Sequence, residues 1–379
     1  MKNEDIVIFS SDDWGWKTSK YHLSIRFAKD NRVLFVSSIG FRAPKASSQD
    51  LWRIFHKLIS FFKGLKRVND NLFVMTPLVA PFAWFPYREA FNRWFLVFQI
   101  TLARRWLGIR APYVFVFSQN WYHFVRDMPR KKLIYYCVDE HSGFAGVDEL
   151  NLTELDKGMI KLANVIFCSA RILCEKNKEE NPNTHYMPHG VHYDLFASTL
   201  SDVVQVAPEI VRLRNPVVLF FGHISYDWID TDLAKYIASE KPDWSFAYVG
   251  RYSMAKDEFK GYPNIYLLGE QAFERLPSFC KGADMAIIPF VYSDLTKNCN
   301  PLKLREYIAA GLSVVSTDIP EVRSFGDMVY VGRNKEEFLQ ALERAFEERN
   351  PERNRLLSLA MNKESWDQRV KEIFDIIKR

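Results

Sequence analysis

The sequence of 379 residues is 48% apolar and 26% charged, with a formal net charge of +5. This length and composition predict two globular domains, because one hydrophobic core rarely extends beyond about 250 to 300 residues. No run of 18 apolar residues is present, and the opening "MKNEDIVIFS" has acidic residues where a signal peptide needs basic ones, so we expect a cytoplasmic protein.

Short apolar runs alternate with helical patterns through the first half of the chain. They are "DIVIFS" (5–10), "RVLFVSS" (32–38), "LFVMTP" (72–77), "YVFVFSQ" (113–119), "KLIYYCVD" (132–139) and "VIFCSA" (165–170). Continuous apolar strands between helices predict a parallel sheet that is covered on both faces.

The loop after the first predicted strand, "SSDDWGWKTSKYHLS" (10–24), contains Trp14, Trp16 and His22. Loops at the carboxyl end of a first strand commonly carry function, so these side chains are candidates for binding a sugar or a lipid-linked acceptor. Packing in the domain core is the alternative interpretation.

The first half is the basic half, because residues 1–196 contain 27 Lys and Arg against 19 Asp and Glu. Within it, the stretches 51–67 and 85–108 combine aromatic residues at helical spacing with Lys and Arg, as interfacial helices do. We weigh contact with an anionic membrane surface equally against burial of these aromatics in a core. Nucleic acid is not expected as a partner, since no nucleic-acid-binding motif accompanies the charge.

A second series of strands follows a polar, poorly periodic segment near residues 190–205. The runs are "PVVLFFGHI" (216–224), "WSFAYVG" (244–250), "NIYLLG" (264–269), "MAIIPF" (285–290), "LSVVSTD" (312–318) and "MVYVG" (328–332). The prediction is an α/β protein with two doubly wound Rossmann-like domains that face each other across a cleft, where a ligand would bind.

The segment "NPLKLREYIAAGLSVVSTD" (300–318) is predicted to begin with a helix whose first turn forms part of a binding site. Asn300 is the predicted N-cap and Pro301 the first helical residue. The amides of Leu302 and Lys303, the helix dipole and the Lys303 ammonium would together bind a phosphate. Glu306, one turn further on the same face, would accept hydrogen bonds from the vicinal hydroxyls of a ribose. The alternative is a surface ion pair between Lys303 and Glu306.

Motifs for metals and dinucleotides are weak. The "DTD" at 230–232 precedes a helical pattern, so Asp230 is predicted to be an N-cap. His185, His189 and His192 lie in one short segment without a completing cluster, and the five cysteines form no CxxC pair, so no metal site is predicted. No GxGxxG follows a strand, which argues against a dinucleotide dehydrogenase.

At residues 300–317 the sequence resembles the GT-B glycosyltransferases, in particular family 4 (group 1) and its relatives that assemble bacterial surface polysaccharides. Supporting stretches are "YMPHGVHYDLF" (186–196), "LFFGHISYDWIDTDL" (219–233), "DWSFAYVG" (243–250) and "SWDQRVKEIFDII" (365–377). The resemblance implies an acceptor-binding domain over 1–196 and a nucleotide-sugar-binding domain over 205–361. The helix within 362–379 would return to the first domain.

Two departures from the family pattern concern the donor site. Family 4 usually has a Glu-x7-Glu pair, and Asn298 stands where the first Glu is expected. The usual Gly-Arg after the first strand of the second domain is Gly222-His223 here, without the Lys that follows. The resemblance therefore leaves His223, Arg251 or Lys303 to bind the diphosphate, and Lys303 is the best placed.

The resemblance also implies a catalytic position in "YYCVDEHSGF" (135–144), where family members commonly have His. Asp139 aligns with the carboxylate that deprotonates the acceptor hydroxyl in an inverting transferase, and a related glucuronosyltransferase of xanthan assembly is similar here. Glu140 and His141 are the second choices. The alternative is that Asp139 caps the following segment.

The expected function is therefore metal-independent transfer of a sugar from a nucleotide diphosphate sugar, with UDP favoured, to a polysaccharide or lipid-linked acceptor. No cofactor is expected, and the protein would work at the inner face of the membrane. Two alternatives remain, namely a sugar-nucleotide epimerase of the same fold and a non-catalytic membrane-associated partner in polysaccharide assembly.

Overall fold

The computed structural model describes residues 1–38, 64–79, 88–138 and 149–379. The chain divides into two compact units, of which the first comprises Met1–Pro188 with Val370–Arg379 and the second His189–Arg369. Most of the predicted interfacial stretch 51–67 and the start of 85–108 lie outside the described residues. Asp139, Glu140 and His141 also lie outside them.

The first unit is built on a sheet of eight described strands, in the order β3-β4-β2-β1-β5-β6-β7-β8. All neighbouring strands are parallel except the short β3, which is antiparallel to β4. The strands are β1 (Asp5–Phe9), β2 (Arg32–Val36), β3 (Lys66–Arg67), β4 (Leu72–Met75), β5 (Tyr113–Val116), β6 (Lys132–Cys137), β7 (Val165–Cys168) and β8 (Thr184–Tyr186).

Helices connect these parallel strands, as crossover connections require. In the described part of the first unit they are α1 (Ser19–Phe27), α2 (Arg88–Trp106), α3 (Tyr122–Val125), α4 (Glu149–Leu162) and α5 (Arg171–Glu180). Their apolar residues pack on strands that are buried almost throughout, such as β1 and β6.

The second unit contains a fully parallel sheet of six strands, in the order β11-β10-β9-β12-β13-β14. The strands are β9 (Val217–Phe221), β10 (Ser245–Val249), β11 (Ile265–Leu267), β12 (Met285–Ile288), β13 (Ser313–Thr317) and β14 (Val329–Gly332). The strand order reverses between β9 and β12, and a ligand site is expected at the carboxyl ends of such a pair.

The helices of the second unit cover both faces of its sheet. They are α6 (Tyr193–Ala197), α7 (Pro208–Val211), α8 (Thr231–Glu240), α9 (Leu276–Lys281), α10 (Asp294–Lys297), α11 (Leu302–Ala309), α12 (Pro320–Arg323), α13 (Lys335–Glu347) and α14 (Pro351–Ala360). As predicted, Asp230 caps α8, because its side chain accepts a hydrogen bond from the amide of Leu233 at 2.9 Å.

The final helix, α15 (Trp366–Lys378), begins in the second unit and ends in the first. Within the first unit, Phe374 stacks on Phe27 with ring centroids 4.9 Å apart, and the Lys132 ammonium donates to the carbonyl of Ile377 at 2.6 Å. No helix in the described ranges combines the length and apolarity needed to span a bilayer.

Candidate functional site

Three neighbouring strands of the second unit each end at a glycine with positive φ. Gly222 (φ +137°) follows β9, Gly250 (φ +145°) follows β10, and Gly269 (φ +73°) lies beyond β11. The Gly222 amide donates to the Val249 carbonyl at 2.9 Å, and the Gly250 amide donates to the Gly269 carbonyl at 2.8 Å. A Cβ on Gly250 would lie 1.9 Å from the Gly222 oxygen, so this turn admits only glycine.

Lys303 on α11 reaches the Gly222 turn. A Cβ built on Gly222 would lie 2.9 Å from the Lys303 Nζ atom. The ammonium also lies 4.7 Å from the centroid of the Phe220 ring and 4.5 Å from that of Phe290, distances at which cations interact favourably with aromatic rings. Among the described residues no carboxylate is within ion-pair distance of Nζ, so its charge is available to an anion at the turn.

Glu306 is 7% exposed, so Lys303 and Glu306 do not form the surface ion pair considered as an alternative. Burial lowers the pKa of Lys303 to about 8. Burial raises the pKa of Glu306 to about 8, although the positive charge of Lys303 opposes that shift. Burial therefore favours the neutral form of the Glu306 carboxyl, which reduces the repulsion that a phosphate beside Lys303 would meet.

The start of α11 differs from the prediction, because Asn300 does not cap it. Pro301 occupies the cap position and no side chain caps the helix. The Asn300 side chain instead accepts a hydrogen bond from Arg305 at 2.6 Å and donates one to Glu321 at 3.0 Å. Arg305 also bonds Glu364 at 3.3 Å, so a buried polar network holds this end of the helix. The amides of Leu302 and Lys303, the first two of the helix, have no intrahelical acceptor, which suits them to an anion.

Tyr307 fixes α11 against the end of β9. Its hydroxyl oxygen accepts a hydrogen bond from the Phe221 amide at 2.7 Å, and the two rings lie 4.5 Å apart. Because Tyr307 follows Lys303 by four residues, both side chains lie on the same helical face. Sequence reasoning missed this residue, although that spacing was the available signal.

His223 and Arg251 lie at the exposed rim of the same site. The His223 Nε2 atom is 2.9 Å from the Ser253 hydroxyl. Partial burial and the positive charge of Arg251 lower the pKa of His223, with a smaller contribution from Lys303. The structure thus brings together His223, Arg251 and Lys303, the three residues left as diphosphate ligands, at the ends of β9 and β10.

The three predicted acceptor residues of the first unit differ in how far their side chains are exposed. Trp14 packs against Tyr21 and Phe35, with ring centroids 4.9 and 5.0 Å away. His22 is 3% exposed, which argues against direct acceptor contact by its ring. Trp16, at 54% exposed, presents the largest free aromatic surface of the three.

Among the described residues, no group of three or more His, Cys, Asp or Glu side chains is arranged to hold a metal ion. The Asp230 cap accounts for the first carboxylate of the "DTD" motif. The Nε2 atom of His185 is 2.8 Å from the side-chain oxygen of Asn183.

Comparison with solved structures defines the class of fold. Sucrose-phosphate synthase from Thermosynechococcus elongatus superposes with a TM-score of 0.70 at 12% identity, over 99% of this chain and 98% of that one. The HepE protein of Anabaena, solved in complex with UDP and glucose, gives 0.64 at 11% identity over 99% of both chains. The chain has the two-domain GT-B fold of these glycosyltransferase structures, as the sequence predicted.

Residues 215–348, which lie within the second unit, match the family model described as glycosyl transferases group 1. This range includes every donor-site residue described above. The chain is also 31% identical over 173 residues to a putative teichuronic acid biosynthesis glycosyltransferase of Bacillus subtilis, TuaH. That match covers 43% of this chain and 42% of the relative, so less than half of the relative's length is aligned.

Proposed function

We propose that this protein transfers a sugar from a nucleotide diphosphate sugar, preferably a UDP-sugar, to a polysaccharide or lipid-linked saccharide acceptor. The observation that carries the proposal is the half-buried Lys303 side chain, whose ammonium lies beside the bare backbone of Gly222 at the uncapped start of α11. A site with a half-buried cation that has no carboxylate partner among the described residues, and with free amides, stabilises the negative charge that develops on a departing diphosphate.

The donor-side roles follow from this geometry. Lys303, with the amides of Leu302 and Lys303, would bind the diphosphate, and His223 and Arg251 would contact it from the rim. Glu306, one turn further along α11, would bind the ribose hydroxyls. Hydrogen bonds donated by those hydroxyls favour the carboxylate form, so donor binding would lower the raised pKa of Glu306.

The acceptor-side proposal is that Asp139 takes the proton of the acceptor hydroxyl, with Glu140 or His141 as second choices. The acceptor oxygen then forms a bond to the anomeric carbon, while the bond from that carbon to the diphosphate breaks and the electron pair leaves with the nucleotide. A base in this role corresponds to inversion at the anomeric carbon, whereas the family 4 resemblance implies retention. The anomeric configuration of the product distinguishes the two.

The proposed acceptor class is a bacterial surface or exopolysaccharide intermediate, handled by a cytoplasmic protein at the inner face of the membrane. The name of the Bacillus subtilis relative refers to teichuronic acid biosynthesis by a glycosyltransferase, and this supports the proposal. Trp16 is the most exposed of the three predicted acceptor residues, and its ring is suited to contact a sugar.

The test is the shift in melting temperature with UDP, GDP or ADP, since a ligand that binds only the folded state stabilises it. We expect one nucleotide, preferentially UDP, to raise the melting temperature of the wild type and not that of Glu306→Ala. Glu336→Ala, at an exposed position in the first turn of α13, is the matched control and should respond as the wild type does.

A shift with none of the three nucleotides would contradict the donor site. Nucleotide binding without sugar transfer to any acceptor would favour the non-catalytic partner. The departure that motivates this alternative is Asn298, which stands where the first Glu of the family pair is expected and whose side chain donates to the Asp294 carbonyl at 2.8 Å. Turnover of the nucleotide sugar by the protein alone, without an acceptor, would favour the epimerase.

A further inference from the structure

Helix α2 is apolar on two faces. Its inner face, formed by Leu96, Ile100, Ala103 and Leu107 at its end, is buried in the first unit, and the last three belong to the core that covers the sheet. A surface helix normally presents charged or polar residues on the face opposite its core. The outer face of α2 departs from that rule.

The outer face carries a row of four large apolar side chains, one every four residues. Trp94, Phe98, Leu102 and Trp106 are each between 52% and 73% exposed. The Trp94 and Phe98 rings stack at 5.9 Å with an interplanar angle of 14°. At 1.5 Å per residue the row extends over about 18 Å, which is a continuous apolar surface rather than scattered exposed residues.

The surroundings of this row are basic. From its first residue to just beyond its end, residues 88–110, the α2 segment contains five Arg and one acidic residue, Glu89. Arg105 lies on the same helical face and is exposed, and Arg110 is exposed just beyond Gly108, where the helix ends with φ +68°. Arg93 is paired with Asp127 at 3.2 Å, so Arg105 and Arg110 are the flanking cations directed to an external partner.

We infer that the outer row of α2, Trp94, Phe98, Leu102 and Trp106, docks on an anionic lipid surface. Tryptophan and phenylalanine on one helical face with arginine beside them are the features of a helix that lies in the membrane interface. The indole ring suits that depth because its body is apolar and its N–H can bond in the headgroup region.

Charge favours lipid over a second copy of the chain. Two copies that met through this row would bring Arg105 and Arg110 of each against a segment, 88–110, that holds five Arg and a single acidic residue, Glu89, to pair with them. Anionic headgroups provide that complement, and each arginine near such a surface adds about 1 kcal/mol of attraction, roughly a fivefold gain in binding. The inference does not depend on the proposed reaction, because docking is measured without donor or acceptor.

The experiment is flotation of the full chain with vesicles of phosphatidylcholine alone or mixed with phosphatidylglycerol. We expect the wild type to float with the mixed vesicles, more weakly as salt is raised, and to bind poorly to phosphatidylcholine alone. The double variant Trp94→Ser/Trp106→Ser should bind the mixed vesicles at least about tenfold more weakly, since each aromatic side chain withdrawn from water contributes about 1.5 to 3 kcal/mol.

Matched controls use exposed leucines of the second unit. Leu356 and Leu359 on α14 are 63% and 54% exposed, so Leu356→Ser/Leu359→Ser removes similar apolar surface and should leave flotation unchanged. Because all these side chains are exposed, the variants should keep the wild-type melting temperature, which verifies that they are folded.

A second pair of variants tests the charge. Arg105→Gln/Arg110→Gln should weaken binding to mixed vesicles by at least about tenfold, whereas Arg355→Gln, at another exposed arginine, should not. Wild type that stays with the soluble fraction, equal flotation of the tryptophan variant, or equal binding to uncharged vesicles would each overturn the inference. So would a wild-type dimer in light scattering that the tryptophan variant converts to monomer.

Discussion

The substitution Glu306→Gln should make the free protein more stable, increasingly so as the pH rises from 5 to 8. Burial raises the pKa of Glu306 from 4.5 to about 8. Between these values the folded state binds more protons than the unfolded state, so this carboxyl lowers the free energy of unfolding as the pH rises. At about 1.4 kcal/mol per pH unit, the loss reaches ~4 kcal/mol between pH 5 and pH 8. Glutamine has the same shape without the ionisation, so the variant avoids this loss.

The assay is urea unfolding of wild type and Glu306→Gln at pH 5, 6, 7 and 8. The two should differ little at pH 5, and the variant should be more stable by a few kcal/mol at pH 8. Lys303 contributes little to this window, because its pKa of about 8 lies below its ordinary value of 10.5 and its own linkage appears above pH 8.

Asp318→Asn is the control of opposite sign, since the bond to Arg323 lowers the pKa of Asp318 and that pair stabilises the fold above the ordinary pKa of the carboxyl. This variant should be less stable than the wild type across the same pH range. A difference between Glu306→Gln and wild type that is independent of pH would refute the reasoning, and a variant destabilised at every pH would indicate a paired carboxylate instead.

Two further substitutions and one control variant test the site. Gly222→Ala and Gly261→Ala should each lose about 1 to 3 kcal/mol of stability, because both positions have positive φ, but only the first should also weaken UDP binding in titration calorimetry, since only its Cβ meets Lys303. Equal UDP affinity in the two variants would contradict the assignment. Arg305→Met should lower the free energy of unfolding by about 1 to 3 kcal/mol, because it removes the hydrogen bond donated to the buried side-chain oxygen of Asn300, while Arg369 still pairs with Glu364. A loss under about 0.5 kcal/mol in urea would show that the network contributes little.

Much of the fold could be predicted from local sequence. Each of the twelve predicted strand runs contains a strand in the structure. They could be recognised because a strand buried on both faces has a continuous apolar sequence, which the amphipathic helices around it do not have. The two strands that were missed, β3 and β8, lie at the edges of the first sheet and have only two and three residues. Short, half-solvated edge strands need no apolar run, so they leave no such pattern.

The site was predictable where the contacts are local and not where they are distant. Lys303 and Glu306 share a face of one helix, and their spacing alone placed them together. The cap at Asn300 was wrong because Glu321, 21 residues later, engages its side chain, and no local rule reports such a partner. The close contact between Gly250 and Gly222 is also a contact between the ends of two strands that are distant in sequence, so only the folded sheet shows it.

The path of α15 affects the order in which the two units can complete their folding during synthesis. The segment Val370–Arg379 belongs to the first unit but is synthesised after the whole of the second. Until then Phe27 lacks its stacking partner Phe374, and the surface that buries Ile373 and Ile377 is open to water. During translation the apolar surface that α15 covers therefore stays exposed until the last residues are made. The second unit is one continuous segment, so all of its residues are available to fold before the first unit is complete.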